Sequence, residues 1–150
     1  MTVTSTLAVT LTLVLVFPVV AVGAELTVGT VTIVRGAAFV RRAAHTQVAQ
    51  QGQALRQGDI LVTGADGRLG VTLRDDTRLS LGPETELQID RFVFAPAQGN
   101  LALVLKIARG VAAYVSGRIA KLSPGSVHVE TPVAIVGVRG THFAARVESE

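Results

Sequence analysis

The stretch GDILVTGADGRLGVTLRDDTRLSLGPETELQID, residues 58–90, decides the fold. Within it Leu69, Val71 and Leu73 alternate with Gly70, Thr72 and Arg74, Leu79 and Leu81 with Arg78 and Ser80, and Leu87 and Ile89 with Glu86, Gln88 and Asp90. A repeat of two puts every second side chain on one face, which is the pattern of half-buried strands. Between the runs stand Gly64-Ala65-Asp66-Gly67, Asp75-Asp76 and Gly82-Pro83. Such residues favour tight turns, through positive φ, side-chain capping of the backbone or a fixed φ. Short strands in close succession are expected.

The same reading extends in both directions. Upstream, residues 26–34 form a strand that Arg35-Gly36 breaks, and 37–41 return as a second strand with Phe39 inward. Residues 42–57, rich in Gln and Ala, show no alternation and read as a loop with room for a short helix. Downstream, Phe92-Val93-Phe94 extends the run and residues 95–100 form a loop. Residues 101–108 are apolar on both faces and so belong near the centre of the fold. Arg109-Gly110 turns the chain into residues 111–115, and 116–125 form another loop. From residues 126–130, Val127 and Val129 point inward, His128 and Glu130 outward. Last comes ETPVAIVGVRGTHFAARV, residues 130–147, two apolar strand-like runs joined at Arg139-Gly140-Thr141. Phe143, Ala145 and Val147 alternate with His142, Ala144 and Arg146, so one face of that run goes inward. No segment after Ala24 keeps helical periodicity over three turns. The fold class is all-β, a single domain of about ten short strands wrapped as a β-roll or helix-like structure, with a two-sheet β-sandwich as the alternative.

Composition bounds the function. Residues 1–24 carry no charged side chain, and 7–22 are almost continuously apolar before Ala21-Val22-Gly23-Ala24. This reads as a signal peptide cleaved after Gly23 or Ala24, which leaves a β domain over 25–150; uncleaved, the segment would be the chain's only membrane anchor. The expected location is periplasmic or secreted, in a bacterium. There is no cysteine, so disulfides, thiolate chemistry and a lipid-modified cysteine are excluded and the domain is held by packing. The net charge of +3 is spread over Arg side chains without a basic stripe, which argues against nucleic acid as a partner.

The ordered set Gly58-Asp59 with Thr63, then Leu73 to Leu81 with Asp75 and Thr77, then Gly110-Val111, then Thr131-Pro132-Val133-Ala134 and Val138-Arg139-Gly140-Thr141-His142-Phe143 resembles the FecR domain. The resemblance spans nearly the whole chain after residue 24. Asp76-Thr77 stands where that family commonly has Gly-Ser, a change that a tight turn accepts. Well-known members place this domain in the periplasmic part of a membrane-bound anti-sigma regulator, which reads an outer-membrane iron-siderophore receptor. Nothing precedes the apolar segment and nine residues follow Thr141, so the sigma-regulator role is not expected to carry over. What the resemblance implies is an exported binding or signalling module. Its partner is expected to be another envelope protein, or an envelope polysaccharide.

Some FecR-like regulators resemble proteins that break their own chain at a Gly-Thr bond. In that chemistry the Thr141 hydroxyl would attack the Gly140 carbonyl, giving an ester that water cleaves, with His142 or His128 as base. His128, Glu130 and His142 also suggest themselves as metal ligands, but exposed strand positions are ordinary for these residues and no metal or cofactor is expected. Asp66, Asp75 and Asp76 read as turn caps rather than as an acid/base pair. No nucleophile or phosphate motif is present, so enzymatic action on an external substrate is not expected.

Overall fold

In a computed structural model, residues 26–140 and 142–148 are described. The described residues form twelve strands and one short helix, an all-β single domain. In chain order the strands are β1 Thr27–Arg35, β2 Ala38–Arg42, β3 His45–Val48, β4 Ala54–Arg56, β5 Ile60–Thr63 and β6 Arg68–Leu73. They continue with β7 Arg78–Leu81, β8 Glu86–Ala95, β9 Asn100–Val115, β10 Val127–Thr131, β11 Ala134–Gly137 and β12 His142–Val147.

One strand organises the rest. β7 and then β8 run antiparallel along β9, so residues 78–115 form a long hairpin turned at Pro96–Gln98. The hairpin bends where Gly110 adopts φ +91° beside Thr85. Arg109-Gly110, whose composition predicts a turn between two strands, is therefore a bend inside one strand of 16 residues. Each half of the hairpin belongs to a different wall. The first wall runs β4-β1-β6-β7-β9-β12, and the second β3-β2-β5-β8-β9-β10-β11, all antiparallel except β10 on β9.

Connectivity forces the roll. The strands β3 and β4 stand at opposite ends of a nine-strand path, eight spacings that a flat sheet would spread over about 38 Å. Yet only residues 49–53 separate them, and from Val48 to Ala54 the chain reaches about 21 Å at most. The sheet has to curl. The linker is stitched down by Ala49 N–H to the Ala38 carbonyl at 2.8 Å and by Gly52 N–H to the Val31 carbonyl at 2.8 Å. This closes one side of the roll.

The core between the walls is the alternating set that the sequence shows: Leu69, Val71, Leu73, Leu79 and Tyr114 from the first wall face Leu61, Leu87, Ile89, Leu103, Leu105, Val127 and Val129 from the second. Three local readings change. Ala38 and Val40 are the buried residues of β2, and Phe39 lies on the outer face across from Val48 and Val62, so the parity is the reverse of that expected. Residues 42–57 contain β3 and β4 and no helix; β3 is exposed on both faces, which is why it carries no alternation. Residues 116–125 include the helix α1, Arg118–Leu122, whose Ile119 is fully buried in the core cluster.

Candidate functional site

The residues of the ordered set fall into two groups, one buried and one at the surface. The first group consists of buried turn clamps. The Asp59 side chain, fully buried, accepts from Arg42 Nε at 2.7 Å, from a second Arg42 nitrogen at 2.6 Å and from the Arg56 backbone N–H at 2.8 Å. That pairing holds the Arg42 guanidinium above its ordinary value. Gly58 supplies the φ of +89° that lets the preceding turn form. Thr63 Oγ1 donates to the Gly82 carbonyl at 2.7 Å and accepts from Thr85 N–H at 2.9 Å, while Thr85 Oγ1 accepts from Val111 N–H at 2.9 Å. The chain 63–85–111 thus ties β5 to the bend of β9 at Gly110.

Asp75 forms the third clamp. Its carboxylate accepts from Thr77 Oγ1 at 2.7 Å, from Thr77 N–H at 3.2 Å and from Ile119 N–H at 3.2 Å, and its carbonyl accepts from Arg118 N–H at 2.6 Å. Asp76 beside it takes φ +68°, a conformation that suits Gly and that Asp tolerates. Gly117 passes so close that an added Cβ would meet Thr77 N and the Asp75 carbonyl. Tyr114 lies beneath, with its hydroxyl buried and lacking a hydrogen-bond partner among the described residues. Thr77 acts on it weakly, since its own hydroxyl donates to Asp75. Burial, and then the Asp75 charge, push the Tyr114 phenol up to about 12. The Asp59 and Asp75 carboxylates are both engaged with backbone N–H groups, so these residues hold turns. Thr85 and Gly117 belong to the same clamps and carry no signal in the sequence, because only the fold shows what they touch.

The second group, Thr131 to Phe143, lies at the open side of the roll. Thr131 Oγ1 accepts from Ala134 N–H at 3.1 Å and closes a turn over Pro132. β11 then pairs with β10 alone among the described residues and forms the free edge of the second wall. Val133 is 92% exposed and Ile135 70% exposed, although both are large and apolar. Only Val138, whose N–H reaches the Val127 carbonyl at 3.2 Å, tucks into the core cluster. Arg139 and Gly140 are exposed, and Gly140 takes φ +136°. Thr141 lies outside the described residues. β12 completes the first wall with the expected alternation: Phe143, Ala145 and Val147 pack against the core, and the Phe143 ring lies 5.0 Å from that of Tyr114.

His128, Glu130 and His142 do not converge. His128 is in register with Val104 on one half of β9 and His142 with Val115 on the other, while Glu130 faces Lys106 at 3.8 Å. No group of three potential metal ligands gathers among the described residues. A shallow hollow on the outer face of the second wall, about 260 Å³, is lined by Ile60, Gln88, Lys106 and Glu130. Its charges are already matched, Lys106 to Asp90 at 3.0 Å and Arg41 to Glu86 at 2.6 Å.

Fold and surface together define an all-β module whose buried polar signature residues brace turns and whose β11, with Val133 before it, forms an exposed apolar sheet edge. A family model described as FecR protein matches residues 59–150, more than half of the chain, and the chain belongs to that family. The match begins at Asp59, although β1 to β4 complete the same sheet. No curated protein and no solved structure matches the chain.

Proposed function

We propose that this FecR-family chain is an exported, non-enzymatic module of the bacterial envelope that binds another protein through the β11 edge. The observation that carries the reading is the uncharged, two-face apolar exposure of β11 on a free strand edge. An edge of this kind is a template for strand addition, which native proteins otherwise blunt with charge or proline. The uncharged apolar segment at residues 7–22 supports export, and family membership supports a regulatory role. A photo-crosslinking residue placed at Val133 in cells is expected to give a discrete adduct with an envelope protein, while one placed at Thr46 on the β3 edge gives none. Equal labelling from both positions, or none from either, overturns the reading.

A second reading, self-processing at Gly140-Thr141, draws on one observation. Gly140 is exposed and holds φ +136°, a backbone conformation open essentially to glycine, next to the bond in question. Intact-mass analysis of the envelope protein, with Thr141→Ala alongside, distinguishes the two. A mass from Glu25 to Glu150 in both samples fits the binding module, whereas a wild-type product ending at Gly140 and missing from the variant fits self-processing.

A further inference from the structure

Among the described residues four strands form the outer edges of the two walls. β3 carries the polar His45, Thr46 and Gln47 beside one exposed apolar residue, Val48, β4 carries Arg56, and β12 carries His142 and Arg146, but β11 is Ala-Ile-Val-Gly. Side chains in register on paired strands share a face. Ile135, opposite Glu130, therefore stands on the outer face, and Val136, opposite the buried Val129, on the core face. A strand laid on β11 would cover apolar surface on both sides while pairing with its free backbone groups.

One charge beside this edge has no partner. Glu130, the acid beside Ile135, is within 3.8 Å of Lys106. Arg139, two residues past the end of β11, is exposed and forms no ion pair among the described residues. A second copy of the chain does not answer that charge. Two-fold antiparallel pairing of Ala134–Gly137 on itself would put Arg139 opposite Pro132, in an uncharged turn.

We infer that the β11 edge takes one short extended strand of another protein, apolar over about four residues and flanked by a carboxylate that meets Arg139. The inference rests on the proposed strand-binding function and specifies its partner. The occupant is a linear segment, because a free edge reads backbone and alternate side chains rather than a folded surface.

The test uses the purified protein and two labelled peptides that share an alternating Val/Thr core, one flanked at both ends by Glu and one by Lys. In low salt the Glu-flanked peptide is expected to bind about fivefold tighter by fluorescence anisotropy, with the difference fading as salt rises. Arg139→Glu should reverse the preference, Ile135→Lys should abolish binding of both peptides, and Gln47→Lys on the β3 edge should change neither. If both peptides bind alike and Arg139→Glu shifts nothing, the carboxylate is wrong while strand binding at β11 stands. Binding that survives Ile135→Lys sinks both. A concentration-dependent dimer seen by light scattering and lost in Ile135→Lys would give the edge to a second copy and overturn the inference.

Discussion

Val136 lies directly across from Val129 in the β10–β11 pair and points to the same side of the sheet, yet Val129 is 1% exposed and Val136 46% exposed. The core ends between them. Apolar side chains beyond that line contribute little to folding, since they stay in water in the folded chain.

Substitutions on the two sides of this line should therefore separate. Val129→Ala removes buried methyl groups and is expected to cost roughly 2 kcal/mol. Val136→Thr and Ile135→Thr should stay within about 0.5 kcal/mol of the parent. Urea denaturation of the three variants measures this. A cost for Ile135→Thr close to that of Val129→Ala would mean that β11 is covered in the native chain.

Two glycines with nearly equal φ should behave differently. Gly58 and Gly110 hold φ of +89° and +91°, so an alanine at either is strained by roughly 1–3 kcal/mol. Nothing lies near a Cβ at Gly58, whereas one at Gly110 would strike Thr85 Cα and the Glu84 carbonyl, both backbone. Gly58→Ala should give a folded, weakened protein, and Gly110→Ala should lose more than about 4 kcal/mol, enough to unfold many domains. Circular dichroism melts of the pair decide it; equal melting temperatures would show that the β9 bend is not packed as described.

The strands legible in the sequence were those with one wet and one dry face. Leu69 to Leu73 and Leu87 to Ile89 announce themselves by period two because Gly70 and Thr72 in the first and Gln88 in the second interrupt the large apolar side chains. β3 is wet on both faces and left no periodic trace, so residues 42–57 looked like a loop. The bend in β9 was hidden for another reason. Arg109-Gly110 has the composition of a turn, and only Thr85, just before β8 and distant in sequence, shows that the ladder runs through it. For the site, the motif residues were all legible as a set, but their division into clamps and exposed edge was not. Asp59 and Asp75 look reactive until the backbone N–H groups around them are placed. Val133, Ile135 and Val136 look like core until the end of the second wall is found at β11.

Asp76 holds φ +68° in an exposed turn, a position where the left-handed conformation costs an L-residue more than a glycine. Asp76→Gly relieves that cost but frees the unfolded chain, so the net gain is expected to be about 0.5 kcal/mol. Thr77, whose hydroxyl and N–H both reach Asp75, must be left unchanged. A melting temperature lower than the parent's would show that the Asp76 side chain caps the turn.

Tyr114 is the chain's only tyrosine, and there is no tryptophan, so tyrosinate absorbance near 295 nm reports one group. Burial, and then the neighbouring Asp75 charge, push its phenol up to about 12, against about 10 in an unfolded chain. Below pH 10 both states hold the proton and stability does not depend on this group. Between about 10 and 12 the unfolded chain releases it while the folded one keeps it, so stability falls as pH rises through that window. Tyr114→Phe removes a buried hydroxyl that has no hydrogen-bond partner among the described residues, so the variant should be at least as stable at neutral pH and lose less on going to alkali. The titration should show a midpoint near 12 in the native protein and near 10 in urea. A native midpoint near 10 would mean that water reaches Tyr114 past Phe143, and that β12 does not seal the first wall.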